Sequence, residues 1–208
     1  MKIKAFLRIC CVWLGMAIPC LLYAQEDMAE WKTFEQELLQ KNSGINTIFC
    51  KFEQERKASV LKDVVRKKGN FYYKRPGNIR LAFLDSDDIT MNDEYFRITT
   101  SGKTSVVKTQ SNPMLKELKR ILSACMAADL SALTAGFMPK LEVKENQYEL
   151  ELQPKRRNNI KSLLLVFSKE DMSLDMLKMT EHSGDYTLYR FSDKNFDIPV
   201  SDDIFKIE

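Results

Sequence analysis

The chain has 208 residues, enough for one domain with a substantial core. Its 32 basic and 29 acidic residues give a formal charge of +3, and Lys2, Lys4 and Arg8 supply all of that excess. Residues 25–208 are therefore balanced at 29 basic and 29 acidic, which argues against nucleic acid as a partner, since phosphate binding needs a basic surplus or stripe.

The first 24 residues read as a secretion signal. A basic start leads into an apolar run, Ile9 to Leu22, too short to span a bilayer comfortably, and "LYAQ" offers cleavage after Ala24. Leu22 stands where a small residue is preferred. Residues 25–208 then form a single domain. Export implies an oxidising compartment, in which Cys50 and Cys125 either pair or serve as small buried hydrophobes.

Met28, Trp31, Phe34 and Leu38 recur at helical spacing, and Asn42, Ser43 and Gly44 stop that helix. The period then changes to two. In "INTIFCKFEQERKA", Ile48, Cys50, Phe52 and Gln54 share one face, and Thr47, Phe49, Lys51 and Glu53 the other. A second strand runs from about Val64 to Lys74 and a third from Asn78 to Leu84. Pro76-Gly77 fits the centre of a type II turn between them. "DITMN", "EYFRITT" and "TSVVKT" continue an antiparallel meander.

The pattern breaks at "SNPMLKELKRILSACMAADLSALTAGF". Ser111 or Asn112 caps a helix, Pro113 takes its first position, and Met114, Leu118, Ile121, Leu122 and Cys125 form its apolar stripe. A short second helix spans about Asp129 to Ala135. Five strands follow, with hairpin tips at Asn146 and Gly184, and the tail "VSDDIFKIE" is placed to close on the core through Ile204, Phe205 and Ile207. The fold class is α+β and mostly β, with about ten to eleven strands, one helix before the sheet and two within it.

Catalytic signatures are missing. The one histidine, His182, precedes Ser-Gly-Asp at a turn, with no nucleophile motif near it. No cysteine and histidine spacing suits zinc, and the carboxylates of "DSDD" at 85–88 and "SDD" at 201–203 do not follow calcium-loop spacing and read as solvated loops. No metal, cofactor or enzymatic activity is expected. What the chain offers is apolar surface: a meander interrupted by an amphipathic helix pair, which makes either a curved sheet with a covered pocket or a closed core.

The run "CKFEQERKASVLKDVVRKKGNFYYKRPGNIRLAF" resembles the opening of the LolA family, periplasmic carriers of outer-membrane lipoproteins. It carries F-x-Q at Phe52 to Gln54, then Gly69, Phe71, Lys74, Arg75, Pro76, Ile79 and Arg80 in the order G-x-F/L-x-x-K-R/Q-P-x-x-I/L-R. The segment from "ELQPKRRNN" to the final x-x-F-x-I also follows the family's order, and "TSVVKTQSNPMLKELKRI" is similar to a Bacteroidetes-type branch.

The resemblance implies an open antiparallel half-barrel closed by a helical lid around an acyl-chain cavity. It makes Arg80 a lid contact that controls cargo release, so Arg80→Leu would bind cargo but release it slowly. Leu81 and Ala82 stand where the family usually has Trp and an acidic residue. Periodicity places Phe52, Phe71, Tyr73, Leu81, Phe83 and Met91 on the cavity wall, with Met114, Leu118, Ile121, Leu122 and Met126 from the lid. The implied function is a monomeric periplasmic carrier. It would take acylated lipoproteins or other acyl lipids from an inner-membrane lipoprotein-releasing ABC complex to an outer-membrane acceptor. The alternative is a lipid-binding or envelope-sensing module on the same half-barrel with a different acylated ligand.

Overall fold

The computed structural model describes the backbone of residues 18–207 and the side chains of residues 29–207. Residues 1–17 of the expected signal segment 1–24 lie outside the described residues, and the expected cleavage point after Ala24 falls within a described helix. Helix α1 runs over Ile18–Asn42 and ends where Asn42, Ser43 and Gly44 were expected to end it. No helix among the described residues is long and apolar enough to cross a membrane.

Eleven strands follow: β1 (Thr47–Lys57), β2 (Val65–Lys74), β3 (Asn78–Phe83), β4 (Asp88–Met91), β5 (Tyr95–Thr100) and β6 (Lys103–Lys108), then β7 (Phe137–Val143), β8 (Gln147–Pro154), β9 (Ile160–Ser168), β10 (Leu174–Glu181) and β11 (Tyr186–Phe196). Between β6 and β7 lie a 3-10 turn (Thr109–Ser111), helix α2 (Pro113–Met126) and helix α3 (Leu130–Thr134). All strands form one antiparallel sheet in the order β6-β5-β4-β3-β2-β1-β11-β10-β9-β8-β7. Two meanders are thus joined where β11 pairs with β1, in a register that sets Phe52 opposite Phe191 and shifts between Phe49 and Lys51.

Because β6 and β7 are the two edges of this open sheet, the chain between them has to cross one of its faces. That crossing is what makes α2 and α3 a cover. The local chemistry follows from the sequence: the Asn112 side chain accepts from the Leu115 N–H at 3.1 Å, Pro113 holds the first helical position, and Asp129 caps α3 through the Ala132 N–H.

Alternation sorts the sheet into two faces. On the covered face, Ile48, Cys50, Phe52, Phe71, Tyr73, Ile79, Leu81, Met91 and Phe96 from one half join Leu150, Leu163, Leu165, Leu177, Met179, Tyr189 and Phe191 from the other in one apolar cluster. Phe34 and Leu38 of α1 enter the same cluster. At the central seam Phe71 meets Phe191 edge-on at 5.3 Å, and Phe52 lies 6.2 Å from Tyr189.

Gly69 shows why one side chain has to be absent there. A Cβ at Gly69 would lie 2.3 Å from the Ala82 carbonyl oxygen and 2.7 Å from Cε1 of Phe52. The Phe52 ring occupies the space above β2 that a side chain would need.

Two local expectations are corrected. The β2–β3 turn is not type II: Arg75–Pro76 is cis and Gly77 is not among the residues of positive φ. The Arg75 side chain instead ties this turn to the end of α1, its Nε donating to the Ile45 carbonyl at 2.6 Å and its Nη2 to the Asn42 carbonyl at 3.2 Å. The tail does not close on the central core either. Phe205 is buried, but apart from the main apolar cluster, in the 3-10 turn Asp202–Phe205 that lies over β3.

Candidate functional site

The site is the interior between the covered face of the sheet and helices α1, α2 and α3. Nine of the eleven residues expected on its wall lie in the central apolar cluster: Phe52, Phe71, Tyr73, Leu81 and Met91 from the sheet, and Leu118, Ile121, Leu122 and Met126 from α2. The other two lie elsewhere. Phe83 is half-buried at the margin, its ring 5.1 Å from that of Phe52 and beneath the Lys67 ammonium. Met114 is 40% exposed, in the first turn of α2.

Met114 instead borders a cleft of about 450 Å³ with Pro113 and Lys116 of α2, Asn158 and Asn159 before β9, Ile160 at its start, and Met179 and Glu181 of β10. The cleft leads from the surface to Met179, which is part of the buried cluster. Sequence reasoning missed the whole contribution of β8 to β11 to this interior. Alternation in "YELELQP" marks two faces and "SLLLVFS" is apolar throughout, so only the folded sheet shows that Leu150, Leu163 and Leu165 turn inward.

The cover is fixed to the sheet by a few polar ties at its rim. Lys119 pairs with Asp93 of the β4–β5 loop at 2.8 Å, and Lys155 donates to the Thr134 carbonyl at 2.8 Å. Arg120 bridges α2 and α3 through Glu117 and the Ala132 carbonyl, and lies over the Phe137 ring. Under the cover the packing is apolar. The hydroxyls of Tyr73, Thr109 and Ser123 are buried without a protein partner, whereas the Tyr189 hydroxyl accepts from the Gln54 amide at 2.7 Å. Burial pushes the Tyr189 hydroxyl up to about 12. It does the same to the thiols of Cys50 and Cys125, which are both free, not bridged.

Arg80 is on the other face. Ile79 and Leu81 point inward, so Arg80 points outward, where Nη2 pairs with Asp88 at 2.8 Å and Nη1 donates to the Ile204 carbonyl at 3.4 Å. Arg97 shares Asp88 at 3.4 Å and donates to the Lys206 carbonyl at 2.7 Å, and Lys74 donates to the Val200 carbonyl at 3.1 Å. Three cations in a row across β2, β3 and β5 thus strap the tail to the outer face. The expected contact between Arg80 and the lid is replaced by this strap, because strand parity sends the guanidinium away from α2. The acidic run at 85–88 is solvated only in part: Asp85 and Ser86 are exposed, but Asp85 and Asp87 both hold Lys67, and Asp88 is buried between the two arginines.

The model of one family, the outer membrane lipoprotein carrier protein LolA, matches residues 43–208. The chain belongs to the LolA family. Its fold recurs in solved structures of low identity. An uncharacterised conserved protein from Thermus thermophilus is 7% identical, with 86% of this chain and 94% of that one covered and a TM-score of 0.53. The MucA/MucB complex of Pseudomonas aeruginosa contains a chain 14% identical, with 85% of this chain and 60% of that one covered and a TM-score of 0.50. The LolA superfamily protein NE2245 from Nitrosomonas europaea is 11% identical over 85% of this chain and 97% of that one, at a TM-score of 0.45. No curated protein matches. In this sheet the G-x-F and K-R-P-x-x-I-R segments supply the Gly69 close approach, the Arg75 anchor and the Arg80 strap.

Proposed function

We propose that this LolA-family chain is an exported carrier that holds the acyl chains of lipoproteins, or of related acyl lipids, between the sheet and its helical cover. The observation that carries this reading is the crossing between β6 and β7. It lays an amphipathic helix over an apolar sheet face without adding a strand, and ties it at the rim by only a few polar contacts. Such a helix can lift without breaking a backbone ladder, and the Met114–Met179 cleft marks where its first turn already stands clear. On this reading residues 1–24 direct export, and cargo passes from an inner-membrane releasing complex to an outer-membrane acceptor. Phe52, Phe71, Tyr73, Leu81 and Met91 then line one wall and Leu118, Ile121, Leu122 and Met126 the other, with Met114 and Phe83 at the margins.

The test is native mass spectrometry of protein recovered after export, with extraction of what co-purifies, followed by uptake of a fluorescent long-chain acyl probe. Bound triacylated protein or phospholipid, displaced by the probe, is the expected result. A clean unliganded mass with no probe uptake would overturn the reading and leave a filled core.

A further inference from the structure

One end of the half-barrel is built differently from the other. Antiparallel alternation brings the β1–β2 loop, the β3–β4 loop, the β8–β9 loop and the β10–β11 turn to the same end. They are tied into a rim. The Ser59 N–H donates to Asp185 at 2.8 Å, the His182 N–H to the Asn159 carbonyl at 3.3 Å, and the Leu84 N–H to the Lys68 carbonyl at 2.9 Å. The cleft bordered by Met114, Asn159 and Met179 opens on this rim.

Two independent features mark it. First, large apolar side chains stand in solvent: Val60 is 91% exposed, Leu84 74%, Leu61 43% and Val65 40%. A loop tip that serves only to turn the chain gains nothing from valine and leucine, and grouped apolar exposure of this kind marks an interaction surface. Second, the rim is basic. Residues 57–68, 84–87, 155–161 and 181–185 hold nine basic and five acidic residues, a surplus of four, on a chain whose residues 25–208 balance at 29 and 29. Lys57, Lys62, Lys155, Arg156, Arg157 and Lys161 make no ion pair among the described residues, and all are exposed. Apolar tips flanked by cations without ion-pair partners match a boundary that is apolar inside and negative at its surface. An acidic protein face would satisfy the cations but leave Val60 and Leu84 in water.

We propose that this rim docks on the surface of an anionic lipid bilayer, with Val60, Leu61 and Leu84 entering the acyl boundary and the lysines and arginines meeting the headgroups. Docking points the cleft at the bilayer, so an acyl chain crosses between membrane and interior with little exposure to water. Neither feature depends on what the interior holds.

The test is flotation of the exported protein with vesicles of phosphatidylcholine alone, and with vesicles in which about one lipid in four is phosphatidylglycerol. Binding to the anionic vesicles, weakened by salt and by V60D/L61D, is expected, and R156E/R157E is expected to weaken it about tenfold. The acyl-probe uptake of both variants stays at the wild-type level, which separates loss of docking from loss of fold or of carrier function. Absence of wild-type binding at low salt would overturn the proposal, as would binding that ignores both variants. So would variants that fail to hand cargo to a purified acceptor while vesicle binding is absent throughout, since the rim is then a protein contact.

Discussion

Gly69 and Arg80 act through opposite faces of the same strand pair. Gly69→Ala puts a methyl 2.3 Å from a backbone oxygen that cannot move without parting β2 from β3. The variant is expected to lose more than about 3 kcal/mol of stability, read as a large drop in the denaturant midpoint or as insoluble protein. Arg80→Leu leaves Asp88 with Arg97 as its remaining ion-pair partner and frees the Ile204 carbonyl. A loss of about 2 kcal/mol is expected, below the cost of breaking a fully buried pair because 26% of the arginine side chain is exposed. Hydrogen exchange should speed up in residues 202–207 and not in α2; acceleration in α2 would restore a lid role for Arg80. The buried thiols give a pH prediction. Cys50 and Cys125 keep their protons to about 12 in the fold, whereas an unperturbed thiol releases its proton near 9.0. Above about 9 the unfolded state binds fewer protons, so stability falls as pH rises from there towards 12. Peptide mapping after iodoacetamide at neutral pH should find both positions unmodified in native protein and modified after unfolding.

At the scale of elements, the cover helix depends on its cap. Asn112 satisfies the Leu115 N–H, and Asn112→Ala is expected to cost about 1 kcal/mol, seen as faster hydrogen exchange in the first turn of α2. Because that turn borders the cleft, the same variant should take up an acyl probe faster, a readout that a purely structural cap would leave unchanged. The strap behaves differently. Its contacts run from side-chain cations to the backbone carbonyls of the tail, joined by one ion pair between Lys74 and Asp202 at 2.7 Å.

For the whole molecule, the carrier reading has to solve a problem of release. Three acyl chains bring roughly 45 methylenes, and at about 0.8 kcal/mol each their full burial would give about 36 kcal/mol, beyond the limit of about 18 to 21 kcal/mol that non-covalent binding reaches. Lifting the cover spends the difference, since the apolar stripe of α2 has to leave its own contacts first. A covalent lock tests this. A Cβ at Gly77 lies 3.6 Å from Oγ of Ser123, so G77C/S123C is placed to bridge β2–β3 to α2. The oxidised double variant is expected to refuse acyl probe and the reduced one to accept it; uptake by the oxidised form would show that the cover need not move.

The sequence by itself determined the local chemistry. Alternation marked the strands, Asn112 and Pro113 marked where the cover begins, and the order of motifs from Phe52 to Arg80 placed the chain among the LolA-like half-barrels. Burial of nine of the eleven expected residues was legible, five because strand parity repeats every second residue and four because the α2 stripe repeats every three or four. Tertiary structure alone decided the rest. Period two distinguishes two faces without saying which is inside, and that choice came from the pairing of β1 with β11, some 140 residues apart. The same pairing joined β8 to β11 to the first meander, and the face taken by the crossing between β6 and β7 left Arg80 and the tail on the other side. Exposure at Val60 and Leu84 was illegible for a related reason: an apolar residue in a loop looks the same in sequence whether a neighbour covers it or water does.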